Sequence, residues 1–505
     1  MNDNIYLIKK RIRAKASDKI LYAALAIITF AILFACSFYT MSDFRTRAFD
    51  QDIFYVIGRN WAEGNIPYVT AWDSKGPIVF FFNMIGYMIT KNETGILILE
   101  TMIFVLTVWC CFYFSCKYCN KKESFLFSIC FLVNYAIINS GGNQVGDYSL
   151  PLSAVSIFFT YHWSKALENG NISHPWKYSI VYGMFFASCL LSRLTNAMTL
   201  CASMAVIFCV IAYHKMWKNL FHNISAFILG GCIVAVPFAA YFYCHNALYE
   251  MCYASLLYNI EYAIHSSHST SFSLSYIIYF TLNNNCLISI FIYALATYMC
   301  HDKKDVAYVW LTIALICIAY IFKSYARATY TISFLPIMFV ALIELSSLYR
   351  KSDKKTYLYS IYCIYFISIV GIANHVRVSI KQSNDTSDRL EANHQIKIIN
   401  NIPQEDSFIL YNCTPYIYAT LNIHPYYPYW VCQDWAIEHG MTLRSKVRNC
   451  YKEGDVKWIV VCDYEHSNIK DILLSKYYIY KEDKRNKLTL FKLRKHTDKH
   501  KCQYR

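Results

Sequence analysis

The sequence has little charge. Only 16% of its residues are Asp, Glu, Lys or Arg, whereas 56% are hydrophobic. Soluble globular proteins carry about 25% charged residues, so this shortage excludes the roughly two to four soluble domains that the length alone would allow. The sequence also lacks internal repeats and low-complexity segments. Aromatic residues are abundant instead, with 45 Tyr and 33 Phe, as in a helical membrane bundle with many side chains at the lipid interface.

A second cysteine pair at zinc-binding spacing is also missing. The chain has 21 cysteines, most of them inside apolar runs, where Cys behaves as a small hydrophobic residue. The close pair Cys116 and Cys119 has no second pair at a matching spacing, so a structural role is favoured over a metal site. In the polar last part of the chain a disulfide is possible among Cys413, Cys432, Cys450, Cys462 and Cys502.

The distribution of basic residues excludes nucleic acid as a partner. The net charge is +15, but the basic residues lie in short loops between apolar runs, as the positive-inside rule expects. The loops 141–147 and 244–273 hold no Lys or Arg and are assigned to the outer side. This alternation predicts a cytoplasmic amino terminus and an extracytoplasmic carboxyl-terminal region.

The apolar runs predict a multi-pass protein of the plasma (inner) membrane. The first run, 20–41, is long enough to span a bilayer, too long for a signal peptide and without a clear cleavage site. With it, the pattern predicts about eleven spans. The other runs are 95–116, 124–140, 148–164, 178–195, 197–213, 224–243, 274–300, 306–322, 330–348 and 357–376.

One further apolar run, 77–90, is short and begins at a proline. It is therefore interpreted as an interfacial helix on the outer surface and not as a span. Counting it as a span would invert the charge alternation of every later loop.

The chain divides into three predicted parts. Residues 1–19 form a basic cytoplasmic segment, and 20–376 form an all-α polytopic membrane bundle. Residues 377–505 are polar, with β-like runs at 407–411 and 456–463 and helical stretches at 440–450 and 466–475. That alternation predicts a small extracytoplasmic α/β domain, which ends in a basic, disordered tail at 492–505.

The first outer loop, 42–94, holds the most informative residues, Asp50, Asp52 and Asp73. Carboxylates beside lipid-embedded segments are costly without a partner, so the loop is a candidate site for a charged ligand. Asp50 and Asp52 could share a divalent cation such as Mg²⁺ or Mn²⁺, or one of them could act as a general base. The alternative is that the pair caps a helix starting near Ile53.

The wider pattern of this loop resembles the first outer loop of GT-C glycosyltransferases that use polyprenyl-phosphate sugars. Members include protein O-mannosyltransferases, lipid A aminoarabinose transferases and Rgt-like bacterial enzymes. Their loop reads as an aspartate, an aromatic-rich helix, a Gly…Pro-Tyr turn and an Asp…Lys-Gly-Pro or Lys-Pro-Pro motif. The matching residues here are Asp50, Phe54, Gly58, Gly64, Pro67, Tyr68, Asp73, Lys75, Gly76 and Pro77.

The resemblance continues downstream and covers roughly residues 20–376. Residues 141–151 are similar to a second outer loop that often carries two consecutive acids; here only Asp147 is present, after Gly146. Asp147 is therefore either a metal-binding acid or the N-cap of a helix beginning near Tyr148. The segments 247–259 and 325–336 are also similar to family patterns, although Thr329 replaces an expected His.

The resemblance implies a transferase that moves a sugar from a lipid-linked donor to an envelope glycan, glycolipid or protein. Asp50 would be the general base or a metal-linked acid together with Asp147, and Asp52, Asp73 and Asp147 would support a metal or the acceptor. Cations would stabilise the leaving phosphate. The candidates are Lys75, Arg193, Lys323 and Arg327, with interfacial anchoring as the alternative for the last three.

Two other functions fit the same composition. A polysaccharide exporter or flippase would share the bundle and the basic loops but would not need an acidic first outer loop. An envelope polysaccharide polymerase or ligase would carry its acid in a late, large loop. His265 and His268 could bind a metal at their spacing, but a polar loop is favoured because no third His lies nearby in the sequence.

Overall fold

The computed structural model describes residues 2–37, 49–139, 141–265, 278, 280–300, 328–383 and 387–494, with the single residues 310, 313, 315 and 319. Within these ranges the chain forms two compact units. One unit comprises 1–40, 94–238 and 269–380, and the other comprises 41–93, 239–268 and 381–505. The second unit therefore gathers the predicted first outer loop, part of a later loop that is also predicted to be outside, and the polar carboxyl-terminal region.

The first half of the chain is helical almost throughout. Its helices, in chain order, are α1 Asn2–Cys36, α2 Phe49–Ala62, α3 Pro77–Thr90, α4 Thr94–Ser115, α5 Lys121–Ile138, α6 Leu150–Glu168, α7 Trp176–Leu190, α8 Met198–Tyr213 and α9 Trp217–Cys244. Because α1 begins at Asn2, the basic segment 1–19 continues the helix of the first predicted span.

The later helices are shorter on average, and strands occur among the last of them. They are α10 Leu248–Cys252, α11 Tyr258–His265, α12 Asn285–Cys300, α13 Leu335–Ser352, α14 Lys355–Ser383, α15 Ser387–Ile399, α16 Tyr416–Thr420, α17 Gln433–His439, α18 Met441–Glu453 and α19 Lys470–Lys476. The boundary predicted at residue 377 lies inside α14.

Six helical segments of the described chain are long and apolar enough to cross a membrane. This confirms a multi-span membrane protein. The six are Asp18–Cys36, Thr94–Ser115, Leu194–Tyr213, Trp217–Cys244, Tyr330–Ser352 and Lys355–Arg377. Four more predicted spans coincide with α5, α6, α7 and α12, which do not meet that measure. The count of eleven spans and their orientation therefore stay predictions.

Sequence features explain where several helices begin and end. Pro77 opens α3, where its missing N–H costs nothing, and Lys91 closes the helix in the left-handed conformation at φ 58°. Asn120 caps α5, because its side chain accepts a hydrogen bond from the Glu123 backbone N–H at 2.9 Å. With 14 residues, α3 is shorter than a membrane span needs, in line with its interpretation as a non-spanning helix.

The unit that comprises 1–40, 94–238 and 269–380 is called the membrane unit. Two buried clusters lie among its described residues. In one, Leu25 of α1 contacts Val108 and Phe112 of α4 and Leu132 of α5. The other joins α6, α7 and α8, and its members are Trp163, Tyr182, Phe185, Cys189, Ala197, Leu200, Ile207 and Ile211. Two glycines allow α7 and α9 to approach closely: a Cβ on Gly183 would lie 1.9 Å from the Phe227 carbonyl oxygen, and one on Gly230 would lie 1.9 Å from that of Ile180. Such contacts between small residues are typical of membrane helices.

The second unit contains a four-stranded sheet in the order β1-β2-β4-β3. Its strands are β1 Phe408–Tyr411, β2 Trp458–Cys462, β3 Tyr477–Asp483 and β4 Leu488–Leu493. β1 pairs with β2 in parallel, and the other two pairings are antiparallel. The predicted runs 407–411 and 456–463 correspond to β1 and β2, which confirms the α/β character of this region. β2 is buried along most of its length, as expected of an apolar central strand.

The β3–β4 hairpin was not predicted from the sequence. Lys492 and Leu493, assigned above to the disordered tail, belong to β4, and the rest of that tail from residue 495 lies outside the described residues. The helical stretches predicted at 440–450 and 466–475 correspond to α18 and α19.

Candidate functional site

Asp50 and Asp52 lie in the first turn of α2, which begins at Phe49 and not near Ile53. Carboxylates in a first turn interact favourably with the helix dipole. Side chains two positions apart on a helix do not face each other. Accordingly, Asp52 is 2% exposed whereas Asp50 is only partly buried. On this helix the two carboxylates therefore lie in different surroundings, and a cation shared between Asp50 and Asp52 stays a prediction.

Arg59 fixes α2 to the carboxyl-terminal part of the second unit. Its guanidinium is completely buried and donates to Asn422 Oδ1 at 2.8 Å and to the carbonyl oxygens of Tyr418 and Ile423 at 3.3 and 2.5 Å. The sequence analysis missed this residue, because the partners lie 359 or more positions further along the chain. Arg59 thereby orients the helix that carries Asp50.

Asp73 and Lys75 lie in the turn that leads into α3. The Lys75 ammonium is 3.6 Å from Asp73 Oδ2, and the same oxygen accepts the Lys75 backbone N–H at 3.3 Å. Tyr68, in the left-handed conformation at φ 70°, donates from its hydroxyl to the Lys75 carbonyl oxygen at 2.9 Å. Across this turn, the Asn259 side chain donates to the Ser74 carbonyl oxygen at 2.8 Å. The Asp-Ser-Lys-Gly-Pro motif is thus held on both sides.

Asp50 lies close enough to Asp73 to act on its charge. Burial raises the pKa of the Asp73 carboxyl, Lys75 opposes this shift, and the negative charge of Asp50 adds to it. The same groups act on the Cys432 thiol: its pKa is raised to about 12, chiefly by burial, with Asp73 and Asp50 also raising it and Lys75 lowering it. The structure therefore brings together three residues that the sequence analysis selected separately, Asp50, Asp73 and Lys75.

This group does not fit a divalent cation. In the described part of the chain, no three His, Cys, Asp or Glu side chains are grouped so that they could hold a metal ion. Lys75 already places an ammonium against Asp73. The positive charge beside these carboxylates comes from the chain itself.

Asp147 lies in the membrane unit and begins a short 3₁₀ helix, Asp147–Ser149. Its Oδ2 accepts the Gln144 backbone N–H at 2.8 Å and the Asn139 side-chain N–H at 3.3 Å. These donors precede Asp147 in the chain, so the carboxylate holds its own loop and does not cap the following helix. Burial raises the pKa of this carboxyl.

Glu100 contacts the same loop and was missed in the sequence analysis. It is 1% exposed within α4 and accepts a hydrogen bond from the Asn143 backbone N–H. Asn143 in turn accepts from the Tyr148 hydroxyl at 2.6 Å. A small cavity here is lined by Leu33, Cys36, Ser37, Glu100, Tyr135, Ala136, Asn139 and Gly142. A sequence clue existed, because Glu100 is the one acid in an otherwise apolar run.

The structure describes two of the four predicted phosphate-binding cations, Lys75 and Arg193. Arg193 is partly buried at the start of a 3₁₀ helix, and its guanidinium carbon lies 5.2 Å from the ring centre of Tyr330, a cation–π contact. Lys323 and Arg327 lie outside the described residues, as does His268. Lys75 is the predicted phosphate ligand that the structure joins to the acidic residues of the first outer loop.

The chain is similar to two solved structures of ArnT from Cupriavidus metallidurans. The form bound to undecaprenyl phosphate matches with a TM-score of 0.60 at 11% identity, over 94% of this chain and 98% of that chain. The apo form matches with a TM-score of 0.61 at 11% identity, over 95% and 98%. At this identity the likeness shows the fold alone, and it confirms the predicted GT-C-like bundle with a carboxyl-terminal α/β domain.

A third similarity is weaker. Archaeal oligosaccharyltransferase AglB from Archaeoglobus fulgidus, in complex with an inhibitory peptide and a dolichol-phosphate, matches with a TM-score of 0.44 at 11% identity, over 95% of this chain and 75% of that chain. This TM-score is too low to carry an argument. A comparison with curated proteins finds no match.

One family model matches the sequence. It is described as "Putative competence-induced protein Ccs4 N-terminal domain", and the match covers residues 9–361. This range is more than half of the chain and includes Asp50, Asp73, Lys75, Asp147 and Arg193. The chain therefore belongs to this family.

Proposed function

We propose that the protein is a membrane glycosyltransferase that moves a sugar from a polyprenyl-phosphate donor to a hydroxyl group of a cell-envelope acceptor. One observation carries the proposal: Asp50, Asp73 and Lys75 converge in one unit of a chain that has the GT-C fold. The ArnT structure that matches this chain along almost its whole length holds undecaprenyl phosphate. A lipid phosphate is therefore the first donor class to test.

In the proposed reaction, the acceptor oxygen attacks the anomeric carbon while the bond from that carbon to the phosphate oxygen breaks. Polyprenyl phosphate leaves with the electron pair of that bond, so negative charge develops on its oxygen. In this proposal Lys75 stabilises this charge, which is supported by the Lys75 ammonium lying 3.6 Å from Asp73 Oδ2 in the same turn. Direct displacement of this kind inverts the anomeric configuration.

Asp50 is the proposed general base that takes the proton of the acceptor hydroxyl. It is partly exposed, whereas Asp52 is 2% and Asp73 7% exposed, so an acceptor reaches Asp50 more easily. Asp73 is moreover engaged with Lys75. Asp52, Asp147 and Arg193 are proposed as supporting residues of the acceptor and donor sites. The divalent cation considered from the sequence is not required, because Lys75 supplies the positive charge.

The proposal is tested with purified protein in lipid nanodiscs. The protein is incubated with a panel of polyprenyl-phosphate sugars and a membrane glycan or glycolipid extract, and released polyprenyl phosphate is measured. We expect release with at least one donor, dependent on the acceptor. An exporter or flippase would instead move lipid-linked glycan across the bilayer without releasing polyprenyl phosphate, and that result would contradict the proposal.

The Asp50→Asn variant tests the assignment of the base. Loss of a general base typically lowers the rate by about 10²- to 10⁴-fold. Asn is nearly isosteric, so we expect the variant to remain folded and inserted. Asp52→Asn in the same helical turn, where the carboxylate is buried, is the comparison and should lower the rate much less than Asp50→Asn. If Asp50→Asn keeps more than about half of the wild-type rate while Asp52→Asn or Asp147→Asn does not, the base is another acid.

A further inference from the structure

Two buried hydrogen-bonding groups beside Asp73 have no partner among the described residues. These are Trp72 Nε1 and the Tyr258 hydroxyl. Trp72 is 5% exposed and Tyr258 is 0% exposed. A buried polar group without a hydrogen bond destabilises the folded state, so two of them side by side are expected where something else completes the hydrogen bonds.

Both groups are held rigidly in the second unit. The Trp72 backbone N–H donates to the Pro428 carbonyl oxygen at 2.8 Å. The Trp72 and Tyr258 rings meet edge to face, with centres 5.0 Å apart and planes at 88°. Behind Tyr258, Gly440 leaves no room for a side chain, since a Cβ there would lie 2.6 Å from the Tyr258 ring. The pair is therefore preorganised and cannot turn to find partners within the protein.

The pair belongs to the same neighbourhood as the proposed catalytic residues. The charge of Asp73 acts on Tyr258. Asn259, the next residue, donates to the Ser74 carbonyl oxygen at 2.8 Å. On its other side, Tyr258 lies 6.3 Å from the ring of Trp435, which is 41% exposed. Aromatic rings thus continue from Trp72 towards solvent.

We propose that Trp72 and Tyr258 form a subsite that binds the hydroxyl groups of a sugar ring next to Asp73. The indole N–H only donates, so its ligand must offer an acceptor oxygen, whereas the phenol both donates and accepts. The negative charges of Asp73 and Asp50 disfavour the binding of an anionic ligand here. A neutral ring that carries several hydroxyl groups and apolar C–H faces satisfies both groups and packs against the aromatic rings.

The inference rests on the proposed function in one respect only, namely which substrate carries the sugar ring that binds to Trp72 and Tyr258. The sugar could be the one carried by the donor lipid or one that belongs to the acceptor, and both have the same chemistry. If the donor sugar binds here, loss of either group raises the KM for the polyprenyl-phosphate sugar. If the acceptor binds here, the KM for the acceptor rises instead.

The test uses variants that remove one hydrogen-bonding group and keep a ring, Trp72→Phe and Tyr258→Phe. The matched control is Trp458→Phe in β2, where a buried indole N–H is satisfied by Asp406 Oδ2 at 2.9 Å. We expect each test variant to lower kcat/KM about 3- to 10-fold, the worth of one neutral hydrogen bond. Tyr258→Phe should leave the Tm unchanged, whereas Trp72→Phe also removes part of a buried ring and should lower the Tm. The control should lower the Tm and leave both KM values unchanged.

A binding measurement separates this inference from the proposed function. Full-length protein in nanodiscs is mixed with a panel of methyl glycosides, and saturation-transfer NMR detects contact with the sugar. We expect transfer to at least one glycoside in the wild type and the Trp458→Phe protein, and its loss in Trp72→Phe and Tyr258→Phe. If this pattern of saturation transfer is found without any transferase activity, the sugar subsite is supported and the proposed reaction is contradicted.

Two results would overturn the subsite. One is the absence of saturation transfer from every methyl glycoside to the wild-type protein. The other is wild-type behaviour of both test variants in binding and in turnover, which would mean that ordered water alone completes the hydrogen bonds of Trp72 and Tyr258.

Discussion

At the residue scale, the candidate site residues are charged groups whose effect depends on burial and on one or two close neighbours. Lys75 carries its ammonium into a nearly enclosed position, with its side chain 20% exposed, only because Asp73 accompanies it. Asp147 lies buried on its own loop, and Glu100 receives the Asn143 backbone N–H from that loop. In each arrangement, a single substitution therefore tests the role of one charged group.

We expect Lys75→Gln to lower kcat/KM for the lipid donor by about 10²- to 10³-fold, the size of effect seen when one oxyanion-stabilising group is removed. Steady-state kinetics with varied donor and acceptor measures this. Lys75→Arg should recover part of the loss because it keeps the charge. Lys91→Gln, at the other end of α3 and 5.5 Å above the Tyr87 ring, is the control and should behave like the wild type. A change confined to the KM for the acceptor would contradict the assignment of Lys75 to the donor site.

We expect Asp147→Asn to flatten the dependence of stability on pH. Burial raises the pKa of Asp147 in the folded protein, so the folded state keeps this proton to higher pH than the unfolded chain does. Stability from this group is therefore full below about pH 3.9 and declines as the pH rises towards the raised pKa. In thermal unfolding from pH 4 to pH 8, the variant should gain Tm relative to the wild type as the pH rises. A Tm of the variant that falls relative to that of the wild type as the pH rises would contradict this.

At the scale of elements, close approach of backbones decides how the helices pack. In the second unit, a Cβ on Gly58 of α2 would lie 2.5 Å from the Asn83 Cβ of α3. In the membrane unit, α7 and α9 touch through Gly183 and Gly230. Because the obstructing atoms are mostly backbone or Cβ atoms, they cannot move aside as a flexible side chain can.

We expect Gly183→Ala to destabilise the protein by about 1–3 kcal/mol, the typical cost of overpacking. The added methyl group would meet the Phe227 carbonyl oxygen of α9 at 1.9 Å. Gly231→Ala is the matched control on α9, since its nearest neighbour, the Gly183 carbonyl oxygen, lies 3.8 Å away. Thermal unfolding in detergent compares the two. Equal Tm values for both variants would show that α7 and α9 do not meet at Gly183.

At the scale of the whole molecule, a membrane bundle and an α/β sheet occur in one chain with the GT-C fold. The alternation of basic loops predicts that the amino terminus is cytoplasmic and that residues 377–505 are outside. That orientation would put Asp50, Asp73 and Lys75 on the outer side, where a polyprenyl-phosphate sugar for envelope synthesis would be consumed.

Labelling with an impermeant thiol reagent in intact cells tests this orientation. In a background without the exposed native cysteines, we expect Gln404→Cys to be labelled and Ser352→Cys to be protected until the membrane is permeabilised. Residues 352 and 404 are both exposed, so the reagent reaches each of them once it is on the correct side. Labelling at residue 352 but not at residue 404 would contradict the predicted orientation.

The sequence by itself determined the features that depend on local pattern. Long apolar runs set the membrane helices, because lipid offers no hydrogen bonds to an open backbone. The buried strand β2 could be predicted because its run from Trp458 to Cys462 is apolar. The motif from Asp50 to Pro77 indicated the GT-C loop because its residues are close together in the chain.

Tertiary structure decided which side chains meet. The hydrogen bonds of Arg59 with residues 418–423, and that of Glu100 with Asn143, join positions far apart in sequence, and no local periodicity encodes them. Asp50 and Asp52 appeared equivalent in the sequence, but the helix turned one towards solvent and buried the other. The unpartnered pair of Trp72 and Tyr258 likewise exists only in the folded chain, because burial depends on everything packed around a residue and not on its neighbours in sequence.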